Sequence, residues 1–296
     1  MTPAVERAAP LWSHAALRDY LALTKPRVVP LIALTTAAGY YLGSSGPFSW
    51  PRLLLTVLGT ALCGGGALGL NQFLERDVDA RMRRTRSRPL PAGRLLPLEA
   101  LAFCALLCAL GLFTLLTVSV LSAAVTAFTV ASYLFAYTPL KRISTLCTVV
   151  GAVPGALPPL AGWTAASGEL GAGAWALFGI LFFWQLPHSL AIARLFRDDY
   201  QAAGLKLLPV VDPDGRSTGR QVALNCLAML GAGMAPSLVG LAGLPYLAAA
   251  ALLGTGMLVL GLRFWREDSP AAARRLYLGS LAYLPLLLLA LTLDKR

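Results

Sequence analysis

Residues 53–74 read LLLTVLGTALCGGGALGLNQFL, and residues 75–94 continue as ERDVDARMRRTRSRPLPAGR. The first stretch is free of charge and long enough to cross a bilayer as a helix, which takes about 20 apolar residues. The second stretch holds three acidic and seven basic side chains. Because charge next to a membrane-spanning segment is costly, it is usually retained for function. Together they predict a membrane helix that carries a polar site to one membrane surface.

Charge-free tracts of this kind recur along the 296-residue chain, which is 57% hydrophobic and only 13% charged. A soluble domain has about 25% charged residues. Two of the tracts are long enough for two helices each, and the other five suit one helix each. We therefore predict an all-α, polytopic membrane protein with nine transmembrane helices in one bundle. The tracts are 28–51, 53–74, 100–140, 143–168, 170–193, 221–262 and 276–293.

The net charge of +11 is distributed unevenly between the two sides of this predicted bundle. With the N-terminus inside, 22 of the 25 Lys and Arg residues fall on the inner side. This is the positive-inside pattern of membrane proteins, so the basicity predicts orientation and no nucleic acid partner is expected. We predict a cytoplasmic lead-in at 1–27, an intramembrane domain at 28–296 and a C-terminus outside. All five cysteines lie in apolar tracts, which favours buried thiols over disulfides.

Asn71, Glu75 and Asp79 are spaced four residues apart at the end of the second predicted span. Steps of four keep side chains on one face of a helix, whereas Asp77 points elsewhere. Two carboxylates and an amide oxygen suit Mg²⁺, which is usually bound through one or two carboxylates together with substrate phosphates. A solvated acidic patch paired with nearby arginines fits the spacing equally well. The metal interpretation predicts a polar active site on the cytoplasmic side.

Basic residues crowd the same region of the predicted topology. Guanidinium groups bind phosphate oxygens through paired hydrogen bonds and stay charged, so they are typical of diphosphate sites. Anchoring of the topology is the alternative for several of them. Acids and bases close together favour a metal–diphosphate ligand, because it needs both signs of charge. The candidate diphosphate-binding residues here are Arg84, Arg88, Lys141 and Arg142.

A second acidic cluster opens the other long inner loop, 196–219. Asp198 and Asp199 could hold a second metal ion on the same diphosphate, with Arg197 beside them on the phosphate oxygens. A helix cap at the membrane surface is the alternative. His188 precedes this cluster within an apolar tract, where a histidine is by default a functional candidate, although a hydrogen-bonded packing role also fits.

These residues resemble the UbiA superfamily of intramembrane prenyltransferases, and within it the branch that farnesylates heme. The resemblance covers about residues 20–295. It has two departures: Glu75 stands where Asp is usual, and Ser189, Phe196 and Tyr200 stand where quinone-type members carry a fuller acidic motif. The matching positions are Asn71, Glu75, Asp79, Arg84, Thr85, Arg88, Pro89, Leu90 and Gly93, then 137–142, 155–163, Trp184, Gln185, Pro187, His188, Asp199, Tyr200, Ala203, Gly204, Leu208 and Pro209.

The resemblance implies a nine-helix enzyme of the inner (plasma) membrane. It would use Mg²⁺ to transfer a farnesyl group from farnesyl diphosphate to a vinyl group of heme b, which is a substrate and not a cofactor. Heme a synthase or a second copy of the chain is an expected partner. The implied catalytic residues are Asn71, Glu75, Asp79, Lys141 and Asp199, the metal ligands are Asn71, Glu75, Asp79, Asp198 and Asp199, and the heme-binding residues are Trp184, Gln185 and His188.

Two other functions remain open from the sequence. A prenyltransferase acting on a quinone precursor or chlorophyllide would differ only in its acceptor, and the acid-rich second motif expected of the quinone type is replaced here by Trp-Gln-x-Pro-His. A membrane transporter would place its polar site near the membrane midplane, often within internal repeats. In this chain the polarity gathers at one face.

Overall fold

The computed structural model describes residues 14–296, and within that range every regular element is helical. The predicted all-α class is confirmed. Residues 1–13 of the predicted lead-in lie outside the described part. The first elements are α1 His14–Leu23, α2 Val29–Gly43, α3 Trp50–Leu74, α4 Arg76–Asp79, α5 Pro97–Leu116, α6 Val120–Ala131, a π-helical turn at Ser132–Tyr137 and α7 Thr138–Leu140.

The remaining elements continue the bundle. Within residues 14–296, eight helical segments are long and apolar enough to cross a membrane, and α2 is a shorter apolar helix. These nine segments correspond to the nine predicted spans, and the chain is a multi-pass membrane protein. The second group comprises α8 Cys147–Ala156, α9 Pro158–Ser167, α10 Ala172–Leu195, α11 Arg197–Ala202, α12 Leu208–Val211, α13 Arg216–Leu238, α14 Leu244–Glu267 and α15 Pro270–Leu293.

Glycine and cysteine bring α3 and α5 into close contact. A Cβ added at Gly66 would lie 2.6 Å from Cys108 Sγ, and one added at Gly111 would lie 2.6 Å from Cys63 Sγ. Small residues allow such an approach between helices in lipid. The five cysteines are buried and free, as predicted. Gly64 lies near Ile32 and lines the central cavity, so the glycine run of α3 serves both packing and the cavity wall.

The proline-rich fifth span is broken at Leu157, which separates α8 from α9. Pro158 and Pro159 have no amide hydrogen to continue the helix. Beyond the break α9 packs closely on α2, where a Cβ at Gly162 would lie 1.9 Å from the Thr36 carbonyl oxygen. The break turns the end of α8 toward α10 and positions the cavity between them.

A polar clasp joins the last helix to the first spans at the end of the bundle opposite the long loops. Lys295 Nζ donates to the carbonyl oxygens of Tyr41 and Ser44, each at 2.6 Å. Asp294 Oδ2 accepts hydrogen bonds from the amides of Gly243 and Tyr246 at 2.8 and 2.9 Å, which cap the start of α14. The clasp closes the ring of helices around the cavity.

Candidate active site

A cavity of about 520 Å³ opens between α2, α3, α6, α8 and α10. Its volume lies in the range typical of pockets that bind organic ligands. Most of its wall is apolar, with cations near one end and a tryptophan, a glutamine and a histidine on α10. Lys25 lines the cavity, and the charges of Glu75, Asp79, Arg88 and Lys141 lie close to it; we call these five residues the charged end. We call the neutral wall Trp184, Gln185 and His188, which line the cavity, together with Ser280, which is buried behind them.

The three predicted oxygen ligands are buried on one face, as the spacing indicated. Asn71, Glu75 and Asp79 are 2%, 6% and 1% exposed, whereas Asp77 is exposed. The helix is interrupted at Glu75, but Glu75 N still donates to Asn71 O at 2.9 Å and Asp79 N to Glu75 O at 2.8 Å. The four-residue spacing therefore survives the interruption.

Glu75 is the central acid of the charged end. Asn71 Nδ2 donates to Glu75 Oε2 at 2.9 Å and to Thr138 Oγ1 at 3.1 Å. Lys141 Nζ lies 2.7 Å from both carboxylate oxygens, but only the contact with Oε2 has hydrogen-bond geometry. Buried Oε1 has no hydrogen bond with any described residue. A carboxylate oxygen that has an ion pair but no hydrogen bond, close in sequence to an amide oxygen and a second buried carboxylate, fits a hard cation such as Mg²⁺.

The π-helical turn places Lys141 at the site. Thr138 Oγ1 donates to Tyr133 O, five residues back, at 2.8 Å. Tyr133 and Tyr137 stack with ring centroids 5.5 Å apart, and Lys141 Nζ lies 4.6 Å from the centroid of the Tyr137 ring. Such π-bulges are frequent at functional sites because they reorient side chains by one position. Burial by itself would lower the pKa of Lys141, but Tyr137, the Glu75 carboxylate and Tyr133 together outweigh burial and raise it.

Asp79 pairs with the second cation of the charged end. Arg88 Nη1 lies 2.6 Å from Asp79 Oδ2, and the Asp79 carboxylate is almost fully buried. Thr85 Oγ1 donates to the Asp79 carbonyl oxygen at 2.8 Å. The loop after α4 therefore folds back so that its residues Thr85 and Arg88 contact Asp79. Each of the two buried carboxylates is matched to one candidate diphosphate-binding cation.

Arg84 joins the two long loops. Its backbone amide donates to Asp199 Oδ2 at 3.2 Å and its Nη2 to the Tyr200 hydroxyl at 3.0 Å. Its guanidinium lies 4.9 Å from the ring centroid of Phe196. A small apolar cluster supports the junction. That cluster consists of Val78, Met82, Ala203 and Leu205, with Tyr200 packed against it.

The other predicted residues of the second loop lie differently. Asp198 is exposed, and Arg197 Nε is buried with no hydrogen bond among the described residues. Arg142 is exposed and lines a second groove that also touches Glu75. Within residues 14–296 no three His, Cys, Asp or Glu side chains gather into a metal-sized group. Of the predicted oxygen ligands, Asn71 and Glu75 are in contact through a hydrogen bond, and Asp79 is buried one helical turn further along the chain.

Lys25 is a charged-end residue that the motif search missed. It lies between α1 and α2 with a positive φ of 51° and lines the cavity. Burial lowers the pKa of Lys25 to about 7, and the nearby cations Arg88 and Lys141 add to this effect. In the sequence it appears only as one more charge before the first span. The signal available was its place in Thr-Lys-Pro-Arg, 24–27, directly before that span.

The neutral wall is held by contacts between α10 and α15. Trp184 Nε1 donates to the Ser280 carbonyl oxygen at 2.7 Å, and His188 Nδ1 lies 2.7 Å from Ser280 Oγ. The Trp184 and His188 rings stack with centroids 4.9 Å apart, and Tyr277 lies 5.2 Å from His188 on α15. The sequence pattern found Trp184 and His188 but gave no signal for Ser280.

Gln185 occupies the space left by the break in the fifth span. Its Nε2 donates to the carbonyl oxygens of Ala152 and Leu181 at 2.9 and 3.0 Å. A Cβ at Gly155 would lie 2.0 Å from Gln185 Oε1. Only a glycine at this position allows the amide to sit where it does.

The amino-acid sequence matches a known family over most of its length. The model of the UbiA prenyltransferase family matches residues 32–287. The chain belongs to the UbiA prenyltransferase family. The family is one of enzymes, so the predicted prenyltransferase class is confirmed and the transporter alternative is set aside. Similar curated relatives are named protoheme IX farnesyltransferase: one from Solibacter usitatus is 45% identical over 94% of this chain and 99% of its own length, and one from Salinibacter ruber is 45% identical over the same shares.

Solved structures of UbiA-type proteins share the fold. A structure described as a digeranylgeranylglyceryl phosphate synthase superposes with a TM-score of 0.78 at 16% identity, covering 94% of this chain and 98% of that one. A UbiA homologue from Archaeoglobus fulgidus, bound to DMAPP and Mg²⁺, superposes with a TM-score of 0.68 at 18% identity over 92% and 99% of the two chains. These matches support the helical architecture of the UbiA family.

Proposed function

We propose that this UbiA-family member transfers the farnesyl group of farnesyl diphosphate to a vinyl group of heme b, with addition of water, giving heme o and diphosphate. The observation that carries the proposal is one cavity that has the cations Lys25 and Arg84 in its lining and the Trp184–His188 pair on its wall. The choice of heme b as the acceptor is supported by the relatives named protoheme IX farnesyltransferase, which are similar to this chain over nearly their whole length.

The charged end would hold the diphosphate of the donor. Asn71, Glu75 and Asp79 would bind Mg²⁺, as the solved relative with DMAPP and Mg²⁺ suggests for the fold. A bound divalent ion supplies positive charge that offsets the developing charge of the leaving group. Lys25, Arg84, Arg88 and Lys141 would contact the remaining phosphate oxygens, with Arg142 and Arg197 nearby. Such fixed charges lower the barrier because they are already in place when the bond breaks.

The covalent step follows from these positions. The bond between farnesyl C1 and the diphosphate oxygen breaks, and its electron pair leaves with the diphosphate. The vinyl π electrons attack C1, which leaves a cation on the carbon next to the porphyrin ring. Water adds there and loses a proton, which completes the hydroxyethylfarnesyl group. The apolar cavity wall excludes other water, because premature hydration of the allylic cation would give farnesol.

The neutral wall would position the acceptor. His188 would ligate or orient the heme, Trp184 would pack beside the macrocycle, and Gln185 would support the wall at the break of the fifth span. Asp199 would act by positioning Arg84, because its carboxylate accepts a hydrogen bond from the Arg84 backbone amide. A metal role of Asp198 and Asp199 stays a prediction of the family resemblance.

We also propose the membrane setting. The loop-bearing end, which carries most of the basic residues, would face the cytoplasm in a cell inner (plasma) membrane, with residues 1–27 as a cytoplasmic lead-in and the C-terminus outside. Heme a synthase, which would consume the product, or a second copy of this chain would be the partner.

Pigment analysis tests the proposal. Membranes that contain the full chain, supplied with farnesyl diphosphate and heme b, should accumulate heme o, identified by the added mass of a farnesyl group plus a hydroxyl group. Asp79→Ala should abolish the product, because it removes a buried metal ligand and leaves Arg88 unpaired. Asp77→Ala is the matched control, since Asp77 is exposed two residues away, and it should keep activity. A prenylated quinone precursor or chlorophyllide, with heme b unchanged, would contradict the assignment of the acceptor.

A further inference from the structure

Ser280 is a buried polar residue on the last helix that belongs to no motif. It is 0% exposed and lies against the neutral wall. Its hydroxyl donates to the Tyr277 carbonyl oxygen at 2.6 Å, and the same Oγ lies 2.7 Å from His188 Nδ1. Its own carbonyl oxygen accepts from Trp184 Nε1 at 2.7 Å. One residue therefore holds both rings of the wall.

The direction of the hydrogen bonds follows from the atoms involved. A carbonyl oxygen can only accept, so the single hydroxyl proton of Ser280 goes to Tyr277 O. Ser280 Oγ can then meet His188 only through a lone pair, which makes Nδ1 the donor. In a neutral imidazole with a proton on Nδ1, the lone pair is on Nε2. The chain of contacts selects one tautomer of His188.

The second ring nitrogen of His188, Nε2, has no hydrogen-bond partner among the described residues. His188 lines the cavity. The ring is held on its faces by Trp184 and Tyr277, with centroids 4.9 and 5.2 Å away. An imidazole with a fixed plane, a fixed tautomer and a free Nε2 lone pair is the arrangement that histidine ligands of metals show.

We propose that Ser280 is a positioning residue that sets the tautomer of His188 and thereby presents Nε2 as an axial ligand to the iron of a metalloporphyrin acceptor. The acceptor class rests on the proposed function. Nε2 donates its lone pair to iron, and no electron or proton is exchanged. The bond fixes one axis of the macrocycle, so the edge that carries the vinyl groups is held relative to the charged end.

The test is a titration of the purified full chain in detergent with ferric heme b, followed by its Soret absorption and its spin state. Loss of the partner that orients a ligating histidine weakens metal binding by about 10- to 100-fold. We expect Ser280→Ala to weaken heme binding by about that factor and to reduce the histidine-ligated signal, and Ser280→Thr, which keeps a hydroxyl, to restore both. Ser122→Ala is the matched control, since Ser122 is equally buried and donates one 2.7 Å hydrogen bond to Ala161 O.

The double variant separates positioning from packing. In a His188→Ala background the further change Ser280→Ala should have no effect on heme affinity, because there is no histidine left for Ser280 to orient. An equal loss in both backgrounds, or a wild-type spectrum for Ser280→Ala, would overturn the proposal. If Ser280→Ala does not accumulate, Ser280→Cys, whose sulfur is a weaker acceptor, gives the same comparison.

Product analysis of the wild-type chain keeps the two hypotheses apart. A Ser280-dependent heme spectrum without heme o formation would contradict the proposed transfer and leave the positioning role intact. Heme o formation with a heme spectrum that ignores Ser280 and His188 would contradict the positioning role and leave the transfer intact.

Discussion

The charged end and the neutral wall adjoin the same cavity, through Lys25 and through Trp184, Gln185 and His188, but are built in opposite ways. At the charged end Glu75 and Asp79 are each paired with a cation, Lys141 and Arg88, at 2.7 and 2.6 Å. The described contacts of the neutral wall are hydrogen bonds that involve no carboxylate, ammonium or guanidinium group. The charged end is therefore arranged to exchange partners, whereas the neutral wall is arranged to stay in place.

Partner exchange suits a metal–diphosphate ligand. When it binds, the carboxylates would turn to the metal and the ammonium and guanidinium groups to the phosphate oxygens. Every charge then loses one partner and gains another, so no charge is left buried alone at any stage. Since an isolated buried charge costs several kcal/mol, the internal ion pairs keep the empty site stable. The neutral wall has no such need, because its proposed ligand is flat and largely apolar.

The largest effect is expected from breaking one ion pair of the charged end. Lys141→Met leaves Glu75 buried without a cation, and such a loss costs about 3–5 kcal/mol of stability. The thermal midpoint in detergent should fall and transfer should stop. Lys141→Met combined with Glu75→Gln should recover the midpoint because no charge is orphaned, while transfer stays absent. A double variant as unstable as the single one would contradict the view that pairing, and not packing, stabilises the empty site.

A smaller effect is expected at the neutral wall from Gly155→Ala. The added methyl would overlap Gln185 Oε1, and overpacking of this kind costs about 1–3 kcal/mol. Because Gln185 must also shift, and a misplacement of about 1 Å in a site can cost about 100-fold in rate, we expect kcat/KM for heme to fall by up to that factor, with KM for farnesyl diphosphate unchanged. Gly231→Ala is the control, because nothing lies within 4 Å of a Cβ there. If both KM values rose together, the two regions would not be separable.

The smallest effect is a pH dependence of donor binding that comes from Lys25. Its pKa of about 7 means that the side chain is charged below pH 7 and loses its proton above it. A diphosphate favours the charged form, so donor affinity should fall between pH 7 and 9, by at most about tenfold per pH unit. Lys25→Arg keeps its charge over this range and should flatten the profile in equilibrium binding. An identical slope in both proteins would assign the titration to another group.

The sequence predicted the charged end better than the neutral wall, for a physical reason. Asn71, Glu75 and Asp79 follow one another at four-residue steps, over little more than two helical turns, so local periodicity places them on one side of the chain. The approach of the two long loops also followed from topology, because both were expected on the same side. The ion pairs could not be predicted, since Glu75 meets Lys141 across 66 positions through a π-helical turn that no local pattern announces.

The partners of the neutral wall lie still further apart in the chain. His188 and Ser280 are 92 positions apart, and a serine in an apolar helix gives no signal of its own. Lys25 was hidden in a different way, because every basic residue on the inner side fits the topology rule. Its backbone, with φ of 51°, leads it to the cavity. The metal role of Asp198 remains a prediction, and the structure gives it an exposed position.

The clasp made by Lys295 has a consequence for biogenesis. Membrane helices enter the bilayer in the order of synthesis, so α2 is released by the ribosome long before residues 294–296 exist. The carbonyl oxygens of Tyr41 and Ser44 at the end of α2 therefore lack the Lys295 donor until translation of α15 is complete. A chain without residues 294–296 would retain every side chain that lines the cavity. It would lack the hydrogen bonds from Lys295 that join the end of α15 to the end of α2. We expect such a shortened chain to be more susceptible to proteolysis in the membrane, because its first and last spans are no longer joined by these hydrogen bonds.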